Sequence, residues 1–202
     1  MMIRILTLLV ALLPGLAAAA DETFPALYDV TGVTAPDTLN VRAAPGSGAE
    51  KTGALAHDAK GVEVTAVSDG WGRINLGEAS GWVYMRYLAR RPGQDGLFLR
   101  PARCFGTEPF WSLEFPPGQV VFRTPDLPPV TLIPFEPQQT NPYSGSYAFT
   151  AMTNVGPSFG VLRRAECNDG MSDRDYGLAA DFIHPGPTGV MHYTGCCVLS
   201  GN

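Results

Sequence analysis

Val62-Glu63-Val64-Thr65-Ala66-Val67-Ser68-Asp69-Gly70-Trp71-Gly72-Arg73-Ile74-Asn75-Leu76 is the stretch whose reading decides the fold class. Val62, Val64 and Ala66 alternate with Glu63 and Thr65, the period-two pattern of a half-buried strand. Ser68-Asp69-Gly70 supplies turn residues, and Trp71 to Leu76 returns as a second strand. Gly77 to Gly81 reads as another turn and Trp82-Val83-Tyr84 as the next strand.

The rest of the chain keeps this rhythm of short strands and frequent turns. Of 202 residues, 23 are Gly and 18 are Pro, so these two types make up about a fifth of the sequence. Beyond residue 20, no stretch free of both exceeds the ten residues from Trp82 to Arg91 or from Ser146 to Val155. Gly and Pro cost a helix interior roughly 1 and 3 kcal/mol each, which excludes helical bundles and doubly wound α/β folds. The predicted class is therefore all-β. With 45% hydrophobic and 16% charged residues the chain is not a disordered polyelectrolyte. A net charge of −5 spread along the sequence builds no basic stripe, so nucleic acid is not an expected partner.

The first twenty residues read as an export signal. Met1 to Arg4 carry one positive charge, Ile5 to Leu13 form an apolar run, Pro14-Gly15 breaks it, and Ala18-Ala19-Ala20 offers the small residues of a cleavage site. Nine apolar residues are too few to span a hydrocarbon core of about 30 Å as a helix. The Pro-Gly break and the Ala run also disfavour a buried N-terminal helix. The expectation is a chain beginning at Asp21, periplasmic or secreted, with no membrane insertion once the leader is removed.

Cys104, Cys167, Cys196 and Cys197 are an even set confined to the second half of the chain, which in an oxidising compartment reads as a disulfide framework. His192 stands four residues before Cys196 and raises the alternative of a metal site. No C-x-x-C or H-x-x-x-H pair accompanies it, and no metal is expected. Three pairings are possible. A bridge between the neighbours Cys196 and Cys197 would strain the intervening peptide, and the two remaining connectivities stay open on the residues alone.

The chain divides near residue 93. Residues 27–90 lack cysteine, Arg90 to Gly96 form a polar, flexible stretch, and from Leu97 onward Pro and Cys become frequent. The expected layout is a leader at 1–20, a first domain at 27–90, a linker at 91–100 and a second domain at 101–198.

Leu39-Asn40-Val41-Arg42-Ala43-Ala44-Pro45-Gly46-Ser47 resembles the L-N-V-R-x-x-P opening of bacterial SH3-like domains. Further landmarks follow in the family's order: Thr52-Gly53-Ala54-Leu55, Gly61-Val62-Glu63-Val64, Gly70-Trp71, Gly81-Trp82-Val83 and Tyr87-Leu88. The resemblance covers residues 27–90. It implies a small, strongly bent antiparallel barrel of an exported protein that contacts cell-wall peptides or an envelope protein. Trp71 and Trp82, inside the strand signature, are expected to fill its core. Tyr84 and Tyr87 are expected on an exposed rim as the candidate binding residues. Arg42, alternating with Leu39 and Val41, is expected to point outward.

Gly106-Thr107-Glu108-Pro109-Phe110-Trp111, Cys167-Asn168-Asp169-Gly170-Met171-Ser172-Asp173-Arg174 and Gly195-Cys196-Cys197 resemble the marks of an uncharacterised bacterial envelope domain. That family is usually written with a single terminal G-C, which implies a bridge from Cys167 to Cys196 and leaves Cys104 for Cys197. Read by itself, the second half gives seven strands: Trp111–Phe115, Val120–Arg123, Val130–Phe135, Tyr147–Met152, Phe159–Arg164, Leu178–Ile183 and Val190–Tyr193. Such spacing argues an antiparallel barrel or sandwich.

Wall hydrolases carry SH3-like modules, so the resemblance makes catalytic residues relevant. Only His57, His184 and His192 could act as imidazole bases, and no H-E-x-x-H, H-x-x-E-H, G-x-S-x-G or S-x-x-K string occurs. Glu108 and Asp173 could be offered as a carboxylate pair, but sequence does not set their separation. Asp169 and Asp173 read instead as turn caps, with Arg174 pairing with Glu108 or a backbone carbonyl. The sequence thus predicts a non-catalytic binding protein with no cofactor, its partner a cell-wall peptide or an envelope protein. A barrel binding a small ligand or metal, or an unrecognised cell-wall hydrolase, are the alternatives.

Overall fold

The computed structural model describes residues 23–94, 101–134, 138–141, 145–153, 156–186 and 189–199. The expected leader, its expected cleavage point and residues 95–100 of the expected linker lie outside them.

The opening stretch folds as read. In the first half the strands are β1 (Ala26–Val30), β2 (Thr38–Arg42), β3 (Lys51–Ala56), β4 (Val62–Ser68), β5 (Trp71–Leu76), β6 (Ala79–Tyr84) and β7 (Leu88–Arg90), with one 3₁₀ turn at Met85–Tyr87. They form one antiparallel sheet in the order β3-β2-β6-β5-β4-β1-β7. Asp69 and Gly70 both take positive φ (49° and 77°), the two-residue hairpin turn whose twist matches the flanking strands. The expected five-residue turn at Gly77 to Gly81 is shorter. Only Gly77 and Glu78 lie between β5 and β6, and Gly77 has φ 62°.

That short turn sets the register and moves both tryptophans. β5 and β6 pair Trp71 with Tyr84, Gly72 with Val83, Arg73 with Trp82 and Ile74 with Gly81. Ile74 and Val83 are in the core, so Trp71 and Trp82 fall on the opposite face of the hairpin. The expectation that they fill the core is corrected: both are only half-buried, and the core is Ala26, Tyr28, Val30, Leu39, Val41, Val64, Ile74, Val83 and Leu88. Inward positions 72 and 81 are glycine because a Cβ there would come within 2.5 Å of Met85 Sδ and Val41 Cγ1.

The second half continues as β8 (Arg103–Thr107), β9 (Phe110–Glu114), β10 (Val120–Thr124), β11 (Leu127–Pro134), β12 (Gln138–Asn141), β13 (Ser146–Thr153), β14 (Gly156–Cys167), β15 (Tyr176–Gly186) and β16 (Gly189–Val198). The sheet order is β11-β10-β9-β8-β16-β15-β14-β13-β12. Pairing of β11 with β13, through Ile133–Met152 and Pro134–Ala151, closes eight of these strands into a barrel. The sequence reading missed β8, whose Arg103-Cys104-Phe105-Gly106-Thr107 offers only a short alternating signal, and β12, which is polar.

Aromatic rings occupy the barrel interior. Phe182 is fully buried, with ring centroids of Phe122 at 5.1 Å and of Trp111, Phe149 and Tyr193 at about 6.3 Å. Cys104 and Cys197 are directly opposed on β8 and β16 and are bonded to each other within this core, Cα–Cα 3.9 Å. The next residue back, Cys196, faces the other way along the strand and is bonded to Cys167 at the end of β14, Cα–Cα 5.6 Å. Adjacent cysteines thus serve opposite faces of one strand.

His184 is also buried here, its Nδ1 2.8 Å from Ser158 Oγ and its ring 4.8 Å from that of Phe122. Burial pushes its pKa below 6.5, so the imidazole is held neutral.

The segment joining β14 to β15 ties the two halves together. The Asp169 carboxylate accepts hydrogen bonds from the amides of Met171 and Ser172 (3.0 and 2.8 Å) and from the hydroxyls of Ser172 and Tyr176 (2.8 and 3.0 Å). Burial raises its pKa, but these donors outweigh that effect and hold it below 3.8. The shaped segment then docks on the β5–β6 hairpin. Ser80 N–H donates to Asp173 O and Asp173 N–H to Glu78 O, both 3.0 Å. The Asn75 amide exchanges two hydrogen bonds with the Asp175 backbone (2.9 and 3.0 Å), and Arg73 pairs with Asp175. Arg174 reaches Gly77 O (2.5 Å) and Glu78 Oε1 (3.0 Å). Of the two partners expected for Arg174, the backbone carbonyl is found, as Gly77 O, and the carboxylate is that of Glu78 where Glu108 was expected; Asp173 contributes its backbone where a side-chain cap was expected.

Three measurements check this account. Phe182→Ala should cost about 3–5 kcal/mol in urea unfolding, as for a fully buried aromatic, whereas Trp82→Ala should cost about 1 kcal/mol. Because the native pKa of His184 is depressed, the unfolded chain takes up the proton first. Stability should therefore begin to fall as pH drops through about 6.5, before the lowered carboxylates Asp169 and Asp181 protonate below about 3.8. His184→Gln should flatten the upper part of that profile in thermal melts. Finally, Asn75→Ala with Arg174→Ala should split a single calorimetric transition into two, the first half melting several degrees lower. An unsplit, unshifted transition would show that the docked segment adds no stability.

Candidate functional site

A cleft of about 700 Å³ opens on the first sheet, bounded by the β1–β2 loop, the outer face of β2, the β4–β5 turn and the end of β6. Its position follows from the same register that displaced the tryptophans. Trp71 begins β5 immediately after the Asp69-Gly70 turn, Tyr84 ends β6 opposite it, and Tyr87 closes the 3₁₀ turn. Two backbone hydrogen bonds brace the rim: Thr31 N–H to Tyr87 O (2.9 Å) and Met85 N–H to Gly70 O (2.9 Å).

The structure brings the sequence candidates Tyr84 and Tyr87 together on this cleft and adds Trp71 to them. Ring centroids of Trp71 and Tyr84 are 5.3 Å apart at 39°, and those of Tyr84 and Tyr87 are 6.2 Å apart at 68°. Tyr84 is 40% exposed. The opposite wall carries Asn40 and Arg42, which alternate with buried Leu39 and Val41 as the strand pattern requires. Arg42 donates from Nη1 to Ala49 O at 2.7 Å, which holds it along the β2–β3 loop. Asp37 and Asp69 complete the charged lining.

Trp71 and Asp69 are the residues sequence reasoning missed. Counting outward from Gly77-Glu78 as a two-residue turn pairs Trp71 with Tyr84 and would have found the first. Asp69 was read only as a turn former, and nothing in its neighbours signals that the turn borders a cleft.

Other titratable constellations have different surroundings. Ser158 and His184 are enclosed by the barrel core, where His184 is neutral. On the barrel's outer surface Asp181 joins His192 (Nε2 to Oδ1 2.9 Å) and Arg163. Burial raises the Asp181 pKa, but the bonds from His192 and Arg163 outweigh it and keep the carboxylate ionised. Among the described residues no His, Cys, Asp and Glu cluster of three or more could hold a metal. The four cysteines are consumed in the two bridges.

No curated protein and no solved structure matches the chain. One family does match, over residues 37–89, and its span takes in both cleft tyrosines, Trp71, Asp37 and Asp69. The match suggests a module that binds peptidoglycan or protein. Residues 37–89 are a bacterial SH3 domain.

Proposed function

We propose that the chain is an exported, non-catalytic binding protein of the bacterial envelope, and that its SH3 cleft takes a peptide of the cell wall or of an envelope protein. One observation carries the reading: an open cleft of about 700 Å³ in which three aromatic rings stand at angles to one another, inside the part of the chain that is a bacterial SH3 domain. Aromatic side chains give large contact area with few rotatable bonds, which is why they dominate binding energy at such surfaces. The two disulfides fit the oxidising compartment to which the Ile5–Leu13 and Ala18–Ala20 leader would deliver the protein.

The test uses the whole chain from Asp21. It should co-sediment with purified sacculi or capture an envelope protein from a periplasmic extract. Tyr84→Ala should weaken retention about tenfold or more while leaving the far-UV spectrum and melting temperature near wild type, and Tyr87→Ala, whose ring also packs against the core, should weaken retention similarly and lower the melting temperature. Retention that is indifferent to both substitutions would move the binding surface elsewhere. Release of soluble muropeptides from sacculi by the purified chain would overturn the non-catalytic reading.

A further inference from the structure

We propose that the cleft is a receptor for a primary ammonium group, so that the peptide it holds presents a lysine-type side chain or a free N-terminal amine. This deepens the proposed function and rests on the cleft being the binding surface.

Trp71, Tyr84 and Tyr87 are tilted by 39° and 68° with centroids 5.3 and 6.2 Å apart, so their faces are walls of a corner and not a flat stack. Ring faces are the negative ends of the aromatic quadrupole, and a cation within about 6 Å of several such faces is attracted to all of them. An apolar side chain would gain from the same area but would leave the neighbouring charges unanswered.

Those charges are the second, independent observation. Asp69 stands two residues before Trp71 on the cleft rim, put there by a turn that imposes φ 49° on it. Its carboxylate carries no hydrogen bond or ion pair among the described residues. Asp37 borders the other side, and one of its oxygens accepts from Thr38 N–H at 2.7 Å, leaving the second available. Against these two carboxylates the cleft has one cation, Arg42, which gives one N–H to Ala49 O and keeps its charge, so the lining carries one net negative charge. The surplus is negative beside three ring faces. An ammonium answers both features at once, with its three N–H donors on carboxylate and hydroxyl oxygens and its charge over the rings. A quaternary ammonium could use only the rings.

Binding can be read by NMR from the Trp71 indole N–H of the full chain, assigned with Trp71→Phe. The probes are N-acetyl-Ala-Lys-Ala-amide, the same peptide acetylated on the lysine, Ala-Ala-Ala-amide with its free N-terminus, and tetramethylammonium chloride. The lysine peptide or the free-amine peptide should shift the signal saturably, and whichever binds more tightly assigns the source of the amine. Lysine acetylation and replacement by tetramethylammonium should each weaken binding at least tenfold. Asp69→Asn, which keeps a residue tolerant of positive φ in the turn, should weaken it at least fivefold with the fold intact, as should Asp37→Asn. Equal affinity for the acetylated peptide, or no effect of Asp69→Asn, overturns the ammonium assignment. If sacculus retention depends on Tyr84 while none of the amines shifts Trp71, the ammonium assignment falls and the cleft reading stands. If retention ignores Tyr84 and the amines are silent, both fall.

Discussion

The arrangement of the two halves depends on one carboxylate. Asp169 gathers two amides and two hydroxyls, and this shapes the segment between β14 and β15 so that residues 173–175 meet the β5–β6 hairpin edge-on. Two stretches remote in sequence converge on this segment. Thr107 of the Gly106–Trp111 motif donates to Asp169 O at 2.9 Å, and Tyr176, which hydrogen-bonds the carboxylate, packs edge-on against Phe105 at 5.3 Å. The Cys167–Cys196 bridge pins the base of the segment to β16. Without a staple and an internal acceptor, an exposed run containing Gly170 would lose too much conformational freedom on docking for a handful of hydrogen bonds to offset. The motif Cys167–Arg174 therefore has a physical task that owes nothing to catalysis.

The hairpin it grips is the one that carries the cleft. Gly77 and Glu78 at its tip contact Arg174, while Trp71 and Tyr84 at its open end form the aromatic corner, roughly 17–20 Å away along six residues of strand. A paired β-ribbon anchored at its tip is stiff along its length, so the barrel fixes the direction in which the cleft faces. Arg73 and Asn75, on the same outer face as Trp71, make this concrete: both reach Asp175. The outer face of β5 is thus divided between interface and cleft wall, which explains why its side chains are large and polar or aromatic while its inner face needs glycine at position 72.

Much of this was legible in the residues, and the limits are physical. Alternation of Val62, Val64 and Ala66 and the Asp69-Gly70 turn located strands because period and turn chemistry are local properties. Of the two tyrosines expected on a rim, Tyr84 at the end of β6 is exposed, whereas Tyr87 is half-buried and packs against the first core, which continues through Leu88 of β7. The tryptophans went wrong because residue type was allowed to outrank register. Large apolar rings favour burial, but a two-residue turn at Gly77-Glu78 fixes parity, and parity is all-or-none in a ladder. The barrel's closing strands were harder for another reason. β12 pairs only at the edge and lacks an apolar face, so it has no period to detect. The docking of Asp173–Asp175 on the hairpin joins positions about a hundred residues apart, and no local pattern encodes a contact at that distance.

The unequal design of the two cores gives the interface its importance. The first sheet encloses a small set of side chains, of which Tyr28 and Ile74 are the largest fully buried, and the half to which it belongs has no disulfide. Domains of some 65 residues bury only about 60% of the surface their unfolded chains expose and are marginal alone. The second half has the opposite character, with a ring-filled interior and bridges closing loops of 93 and 29 residues, constraints worth about 3–5 kcal/mol each in the chain-entropy picture. Docking lets the weaker half share this stability. The Leu199 amide, just beyond the last barrel strand, donates to Glu63 Oε2 at 2.8 Å, and Gly177 lies so close under Pro25 that a Cβ would come within 2.8 Å of its ring. The first half can then keep Tyr84 and the Asp69 carboxylate exposed on its cleft, because its shape is held in part from outside.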